Sequence, residues 1–312
     1  EHFEAMENNE YIVIIDEEIN VVGSFDKYSK QDLEWLLERG EVEVTEKDGM
    51  VSWVGNPVES GHKYYNMMKY CDSNSLYATL RSDTMMVTQL HVKLFQCAKR
   101  VVILTYMFDN NVLDCFLRVK GFDIKVFDEV KANDVDMNEI RKLITLIPPN
   151  EKIQKYSLSS SWYSAKATSN DLKVVSDYIR SSCMKAKVLS DDVLWCVPKA
   201  YSEKTRSNAK VVSPRGYRVD SNKETCFLSA NVRATNNYSH KKMMVHCYNR
   251  YCHVAVTAYL ADYGHPVDNN VFALSEMLQW SWRGCIRNNE PMTLAIGSKR
   301  MYNLMEEWIN GY

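Results

Sequence analysis

The sequence predicts an α/β fold in which helices cover parallel sheets. Apolar runs rich in Ile and Val, such as "YIVIID" and "RVVILTYMF", lack the polar alternation of half-exposed strands, so they indicate strands buried on both faces. Amphipathic helices lie between such runs, and a strand–helix–strand order favours parallel pairing. The chain has 312 residues, 46% hydrophobic and 25% charged, which suits one or two globular domains.

The first half of the chain alternates strands and helices. After the strand "YIVIID", the stretch "SKQDLEWLLERG" predicts a helix with Ser29 as its N-cap and Gly40 at its end. "RVVILTYMF" predicts a second buried strand, and "NNVLDCFLRVKGFDIKVF" predicts a helix, a stop at Gly121 and a further strand. This order predicts one parallel sheet in the first half.

A polar stretch with Pro148 and Pro149 predicts a boundary between residues 128 and 155. We expect a first domain at 1–135 and a second at 150–312. In the second, "DLKVVSDYIRSSC" predicts an amphipathic helix, "DDVLWCVP" and "ETCFLSA" predict strands, and "SHKKMMVHCYNRYCHVAVTAYLADYG" predicts one long helix. "NNVFALSEMLQWSWRGCIRNNE" predicts another helix, and "MTLAIGS" predicts the last strand.

The bulk composition narrows the classes of protein. The net charge is −2, no apolar run is long enough to cross a bilayer, and from the polar N-terminal stretch we expect no signal peptide. The nine Cys form no CxxC pair and sit among apolar neighbours, which predicts buried reduced thiols. These features predict a cytoplasmic protein without a membrane partner.

Asp16 and Glu17 end the first predicted strand. Ligands bind at the carboxyl edge of open α/β sheets, where an Asp can hold Mg²⁺ and an adjacent Glu can polarise an attacking water. Thr105 ends the strand "RVVILTYMF", and its hydroxyl could couple these carboxylates to the second domain. The plainer alternatives are an acidic turn at Asp16 and an ordinary strand end at Thr105.

Three polar side chains recur at intervals of four in "LSEMLQWSWRGCIR". On a continuous helix, Gln279, Arg283 and Arg287 form one stripe, and a row of guanidinium groups suits a polyphosphate. The alternative is an exposed face with Glu276 and Glu290 as ion-pair partners.

A second polar constellation lies in "LSANVRATNN" and in the basic stretch that follows it. Here a predicted strand gives way to a loop with Arg233, Thr235 and Asn236, ahead of Lys241 and Lys242. Basic residues outnumber acidic ones across this part of the chain, and their charge fits contact with phosphate or nucleic acid. The alternative is a solvated basic loop.

Together, "NVRATNNY", "FALSEMLQWSWRGCIR", "SKRM", "RVVILTYMF" and "SLSSSWY" resemble phage DEAD/DEAH-box-like helicases of superfamily 2 over essentially the whole chain. The resemblance implies two RecA-like parallel-sheet domains, the first truncated at its N-terminus, with ATP between them and nucleic acid across their tops. It implies that Asp16 binds Mg²⁺, Glu17 orients the attacking water, and Thr105 couples the domains.

The same resemblance assigns the rest of the site. Gln279, Arg283 and Arg287 are expected to face the ATP phosphates, whereas a role in coupling or strand contact is expected of the second constellation, which comprises Arg233, Thr235, Asn236, Lys241 and Lys242. DNA is the expected substrate, with RNA as the alternative, and the implied activity is ATP-dependent strand separation.

Two departures from the family pattern matter. Gly284 and Cys285 stand where the family has a Ser-Ala-like pair, and no GxxxxGK[ST] phosphate loop occurs in the sequence. Without that loop we expect weak ATP binding, so the chain is interpreted as the carboxyl-terminal portion of a helicase. A non-catalytic nucleic-acid-binding or scaffold protein is the first alternative, and a Mg²⁺-dependent nuclease that uses Asp16, Glu17 and Glu18 is the second.

Overall fold

A computed structural model describes residues 2–16, 19–127, 137–205, 208–232 and 236–311. Within these residues the helices are α1 (His2–Asn8), α2 (Lys30–Glu38), α3 (Tyr65–Asp72), α4 (Lys93–Gln96), α5 (Val112–Val119), α6 (Met137–Lys142), α7 (Ser169–Ala186), α8 (Val254–Asp262), α9 (Asn269–Ser281) and α10 (Lys299–Ile309). The strands are β1 (Ile12–Asp16), β2 (Val22–Ser24), β3 (Val42–Val44), β4 (Val51–Trp53), β5 (Leu76–Thr79), β6 (Ser82–Gln89), β7 (Arg100–Leu104), β8 (Ile144–Ile147), β9 (Val193–Cys196), β10 (Met243–His246) and β11 (Met292–Ile296).

The chain divides into two compact units. The first comprises 1–126 and 252–271, and the second comprises 127–251 and 272–312. Residues 252–271, which the sequence predictions place in the second domain, therefore group with the first unit. The predicted domains at 1–135 and 150–312 stay a prediction.

The second unit is built on a parallel sheet with the strand order β8–β11–β10–β9. Every residue of β9 and β10 is buried, as expected for parallel strands covered on both faces. Helix α7 begins with a capping box, in which Thr168 and Asp171 satisfy each other's backbone N–H groups, and it packs against β10 and β11. The prediction of an α/β fold with parallel sheets is confirmed.

The first unit combines a parallel strand pair with antiparallel sheets. Strands β1 and β7 pair in parallel, whereas β2, β6 and β5 form an antiparallel sheet and β3 pairs with β4. These antiparallel strands lie in the chain between β1 and β7, and α8 packs against β2, β5 and β6. Their core includes Leu33, Leu36, Val51, Met67 and Leu76. The pattern of the sequence did not reveal these short strands.

Several predicted elements are wrong. Residues 122–127, predicted as a strand after Gly121, form no strand. The long helix predicted over "SHKKMMVHCYNRYCHVAVTAYLADYG" is the strand β10 followed by the separate helix α8. "ETCFLSA" forms isolated bridges, including Trp195 to Phe227, instead of a strand. Strand β1 is not fully buried, because Ile12 and Ile14 are 59% and 66% exposed, and β7, also predicted as a buried strand, contains no buried residue.

All nine cysteines are free and buried, which confirms the prediction of buried thiols. Cys247 lies beside the buried strand β10, and burial raises its pKa well above the usual thiol range. Among the residues with described positions, no helix combines the length and the apolar character that a membrane span requires.

Candidate functional site

Five of the predicted site residues lie in the second unit around the amino edge of its sheet: Asn236, Lys241, Lys242, Arg283 and Arg287. We use this name for the segments that lead into β9, β10 and β11: Asp191–Asp192, Asn236–Lys242 and Arg283–Pro291. Backbone hydrogen bonds join them, since Lys242 N–H donates to the Asp192 carbonyl at 2.9 Å and Cys285 N–H donates to the Lys241 carbonyl at 2.9 Å. Stretches far apart in sequence are therefore neighbours.

The predicted stripe of Gln279, Arg283 and Arg287 on one helix is wrong. Helix α9 ends at Ser281, after which the backbone tightens into i to i+3 hydrogen bonds that end at Arg283 and Gly284. Gln279 is half-buried on α9, Arg283 lies in the turn, and Arg287 lies in a 3₁₀ helix at Cys285–Asn288. The arginines also differ in exposure, because Arg283 is only 6% exposed whereas Arg287 is exposed.

Gly284 explains how this turn reaches the sheet. A Cβ atom there would lie 2.7 Å from Met244 Sδ, 2.9 Å from Met292 Sδ and 3.1 Å from the Lys241 carbonyl. The close approach needs a residue without a side chain, because the surrounding interior is tightly packed. Gly284, which replaces a residue of the family's Ser-Ala-like pair, therefore leaves room for the side chains of Met244 and Met292.

Arg287 is held by the loop that contains the second predicted constellation. Its Nη1 donates a hydrogen bond to Oδ1 of Asn236, and Asn288 Nδ2 donates to the Ser239 carbonyl at 3.1 Å. Both Arg287 and Asn236 are exposed. The structure therefore brings these two predicted residues together on an accessible surface, while Arg233 and Thr235 lie outside the described residues.

Lys241 and Lys242 have different environments. Lys241 is 4% exposed, and its Nζ donates to the Asp191 carbonyl at 2.7 Å and lies 3.8 Å from Asp220 Oδ2. The side chain of Lys242 is 57% exposed, with its Nζ 3.9 Å from Asp192 Oδ1. Because Lys241 is buried, it cannot contact a nucleic-acid strand directly, and only the coupling part of its predicted role remains. Lys242 is accessible to a nucleic-acid strand.

Asp16 and Thr105 lie at one edge of the parallel pair in the first unit. Asp16 ends β1 opposite Leu104, the last residue of β7, and Thr105 follows directly. The Asp16 side chain is exposed, whereas the buried Thr105 Oγ1 has no hydrogen-bond partner among the described residues. Glu17, the other predicted catalytic carboxylate, and Glu18 lie outside those residues.

The carboxylates of the described residues suit Mg²⁺ only where substrate phosphates and water supply the other ligands. No group of three or more His, Cys, Asp or Glu side chains within the described ranges is arranged to hold a metal ion. Mg²⁺ often binds through one or two carboxylates together with substrate phosphates and water. Asp16 suits that mode, because it is exposed at the carboxyl end of a parallel strand.

The opposite edge of the second unit's sheet holds residues to which the sequence analysis gave no role. Asn249, just beyond β10, is 6% exposed; its Nδ2 donates to the Ser157 carbonyl at 3.0 Å, and its Oδ1 accepts from Arg300 Nη1 at 3.0 Å. The Arg300 guanidinium also lies 4.3 Å from the ring centroid of Tyr251, which is 49% exposed. Asn249 thus links "SLSSSWY" to "SKRM", two stretches of the family resemblance.

A buried charge pair lies near this carboxyl edge. Arg250 Nη2 donates to Glu276 Oε2 at 2.6 Å, and both side chains are less than 15% exposed. His246, at the end of β10, is buried against Trp280 with ring centroids 5.3 Å apart. Burial, and secondarily the charge of Arg250, lower the pKa of His246 to about 3. The imidazole is therefore neutral at physiological pH.

Comparisons with known proteins add the family context. A family model described as the YonV C-terminal Rossmann-like domain matches residues 138–309. The chain is also similar to SPbeta prophage-derived uncharacterized protein YonV of Bacillus subtilis (strain 168), with 26% identity over 332 residues covering 98% of this chain and 75% of that protein. No solved structure matches the chain. The matched segment contains all four strands of the second unit's parallel sheet.

Proposed function

The chain belongs to the YonV C-terminal Rossmann-like domain family. We propose that it functions as part of an ATP-dependent helicase or translocase of phage type that separates DNA strands. The observation that carries the proposal is the hydrogen bond between Arg287 and Asn236. It joins the two stretches that resemble helicase motifs, "NVRATNN" and "QWSWRGCIR", on an exposed surface.

In this proposal the two arginines have different tasks. Arg287 is exposed and oriented by Asn236, so it contacts the ATP phosphates and stabilises the charge that develops during hydrolysis. Arg283 is buried in the turn before it and positions Arg287. Gln279 is assigned to the nucleotide as well, because its side chain is half-buried near the end of α9.

The first unit contributes the carboxylates. Asp16 holds Mg²⁺, and Glu17 orients the attacking water. Thr105, which follows the residue paired with Asp16, couples ATP hydrolysis at this edge to the rest of the protein. When bound, Mg²⁺ neutralises charge on the transferred phosphoryl group. These roles are supported by the parallel register of β1 and β7.

We assign nucleic acid to the exposed polar residues of the second unit. Lys242 and Asn236 contact the strand at the amino edge, and the family resemblance assigns the same role to Arg233 and Thr235. At the carboxyl edge, the exposed Tyr251 ring under a guanidinium offers a stacking surface for a base.

ATP turnover with and without single-stranded DNA tests this proposal. For the full-length protein we expect DNA-stimulated hydrolysis that Glu17→Gln abolishes and that Arg287→Met lowers by about 10³-fold, the lower range for an arginine finger. The matched control is Arg180→Met, which removes an exposed arginine from α7 and leaves turnover unchanged. Undiminished turnover in Arg287→Met or in Glu17→Gln would contradict the assigned role.

A non-catalytic nucleic-acid-binding protein is the second candidate, because no GxxxxGK[ST] loop occurs among the 312 residues. It predicts DNA binding without ATP turnover in the full-length protein, for the wild type and for Glu17→Gln alike. DNA affinity that is identical with and without ATP, together with absent hydrolysis, would favour this candidate over the first.

A further inference from the structure

A pocket in the first unit lies apart from every residue assigned above. Its volume is about 120 Å³, and its polar lining consists of Asn74, Tyr77, Gln89, His91 and Lys120. The lining contains no Asp or Glu. Asn74, Gln89 at the end of β6, His91 just after β6 and Lys120 just after α5 all carry N–H donors, so the pocket is rich in donors.

Gln89 supplies a buried amide with spare donor capacity. It is the last residue of β6 and is only 6% exposed; its side chain interacts with the Tyr259 hydroxyl, and its Nε2 makes no further hydrogen bond within the described part of the chain. Buried amide groups are nearly always hydrogen-bonded, because an unpaired one loses its hydration without compensation. Because the amide nitrogen carries two N–H groups, the Gln89 amide retains one donor for an acceptor that a ligand supplies.

Lys120 supplies a cation that is partly removed from water. Its Nζ lies 4.8 Å from the ring centroid of Tyr77 and 5.7 Å from that of Phe116. Burial lowers the pKa of Lys120, and the charge of Asp48 offsets this effect only in part. No carboxylate among the described residues lies within ion-pair distance of Lys120 Nζ. The ammonium is thus positioned for an anion that the protein itself does not provide.

His91 completes the set of donors. Its Nδ1 accepts the backbone N–H of Lys93 at 3.2 Å, which leaves the proton of the neutral imidazole on Nε2. The ring also stacks on Phe3, with centroids 6.1 Å apart and planes inclined by 29°. Its orientation is therefore restrained from two sides.

We propose that this pocket binds a small phosphate group through Lys120 Nζ, Gln89 Nε2 and His91 Nε2. A lysine ammonium together with two further N–H donors from a second chain segment suits a tetrahedral oxyanion better than a planar carboxylate, and Lys binds phosphate as a point charge. The phosphate is either free inorganic phosphate or the phosphomonoester end of a small metabolite. This site is independent of the proposed helicase activity.

Titration of the ¹⁵N-labelled chain with inorganic phosphate tests the site directly. We expect phosphate to shift the side-chain amide resonances of Gln89, and we expect Lys120→Met to weaken the affinity about tenfold or more, as for loss of a charged hydrogen bond. Lys125→Met removes an exposed lysine five residues along the same unit and is the matched control, with unchanged affinity expected. Gln89→Leu keeps a similar volume and reports the amide contribution separately.

Titrations with AMP and with acetate distinguish a phosphomonoester from free phosphate, and a tetrahedral anion from a planar one. Tighter binding of AMP than of inorganic phosphate identifies a phosphomonoester, and equal affinity identifies the free ion; both support the site. Acetate binding as tightly as phosphate would overturn the tetrahedral assignment. The proposal also fails if phosphate leaves the Gln89 amide resonances unmoved, or if Lys120→Met and Lys125→Met have equal affinities while both remain folded.

Discussion

Lys241 and Lys242 are adjacent in the sequence, yet we expect them to affect different properties. In Lys241→Met, the aliphatic stem is retained while the buried ammonium is lost. That ammonium donates to the Asp191 carbonyl at 2.7 Å and lies 3.8 Å from the Asp220 carboxylate, whose side chain is 9% exposed. The substitution therefore leaves Asp220 buried without its cation.

The magnitude follows from these contacts. Removing one partner of a buried ion pair costs about 3–5 kcal/mol of the free energy of unfolding. Asp220 Oδ1 still accepts the backbone N–H groups of Asn222 and Glu224, both at 2.9 Å, so the lower end applies. We expect Lys241→Met to lower the free energy of unfolding by about 3 kcal/mol.

Urea unfolding followed by circular dichroism measures this change, with linear extrapolation to water. The control is Lys242→Met, which removes a surface pair and costs about 0–1 kcal/mol. Lys242→Met instead lowers the salt dependence of DNA binding by about one charge, if the proposed function is correct. A Lys241→Met protein within about 1 kcal/mol of the wild type would refute the reasoning about the buried pair.

Two further predictions concern the interior of the second unit. Gly284→Ala places a Cβ 2.7 Å from Met244 Sδ, so we expect overpacking to cost about 1–3 kcal/mol in urea unfolding, and an unchanged midpoint would contradict the close approach. The His246 pKa is about 3 in the folded protein and near 6.5 when unfolded. As the pH falls below about 6.5 the unfolded chain takes up the proton first, so stability is lost at about 1.4 kcal/mol per pH unit down to about pH 3. His246→Phe should remove this component, by about 2 kcal/mol between about pH 6.5 and 5; equal pH dependence of the two proteins would exclude the assignment.

Local signals predicted several elements well. The Ser29 cap is observed as a full capping box at α2, and α5 ends where Gly121 adopts a positive φ of 73°. The strands β7, β9 and β11 were recognised as apolar runs, and α7 by its amphipathic period. Caps, glycine stops and hydrophobic periods act within a few residues, so they can be read directly from a linear sequence.

Other elements depended on their neighbours in space. Strand β10 has a composition that also suits a helix, and its pairing with β9 and β11 decides its conformation. Strand β1 has the composition of a buried strand, but among the described strands it pairs only with β7, so Ile12 and Ile14 remain exposed. Burial is a property of the surrounding elements and cannot be read from one segment.

The candidate site divides in the same way. The sequence by itself determined the order of the motifs and the residue types suited to phosphate, including Asp16, Arg283 and Arg287. The tertiary structure decided that Arg287 meets Asn236 across 51 positions of sequence, and that α9 ends before Arg283. It also decided which of two adjacent lysines is exposed, because exposure and hydrogen bonding depend on contacts between segments that are distant along the chain.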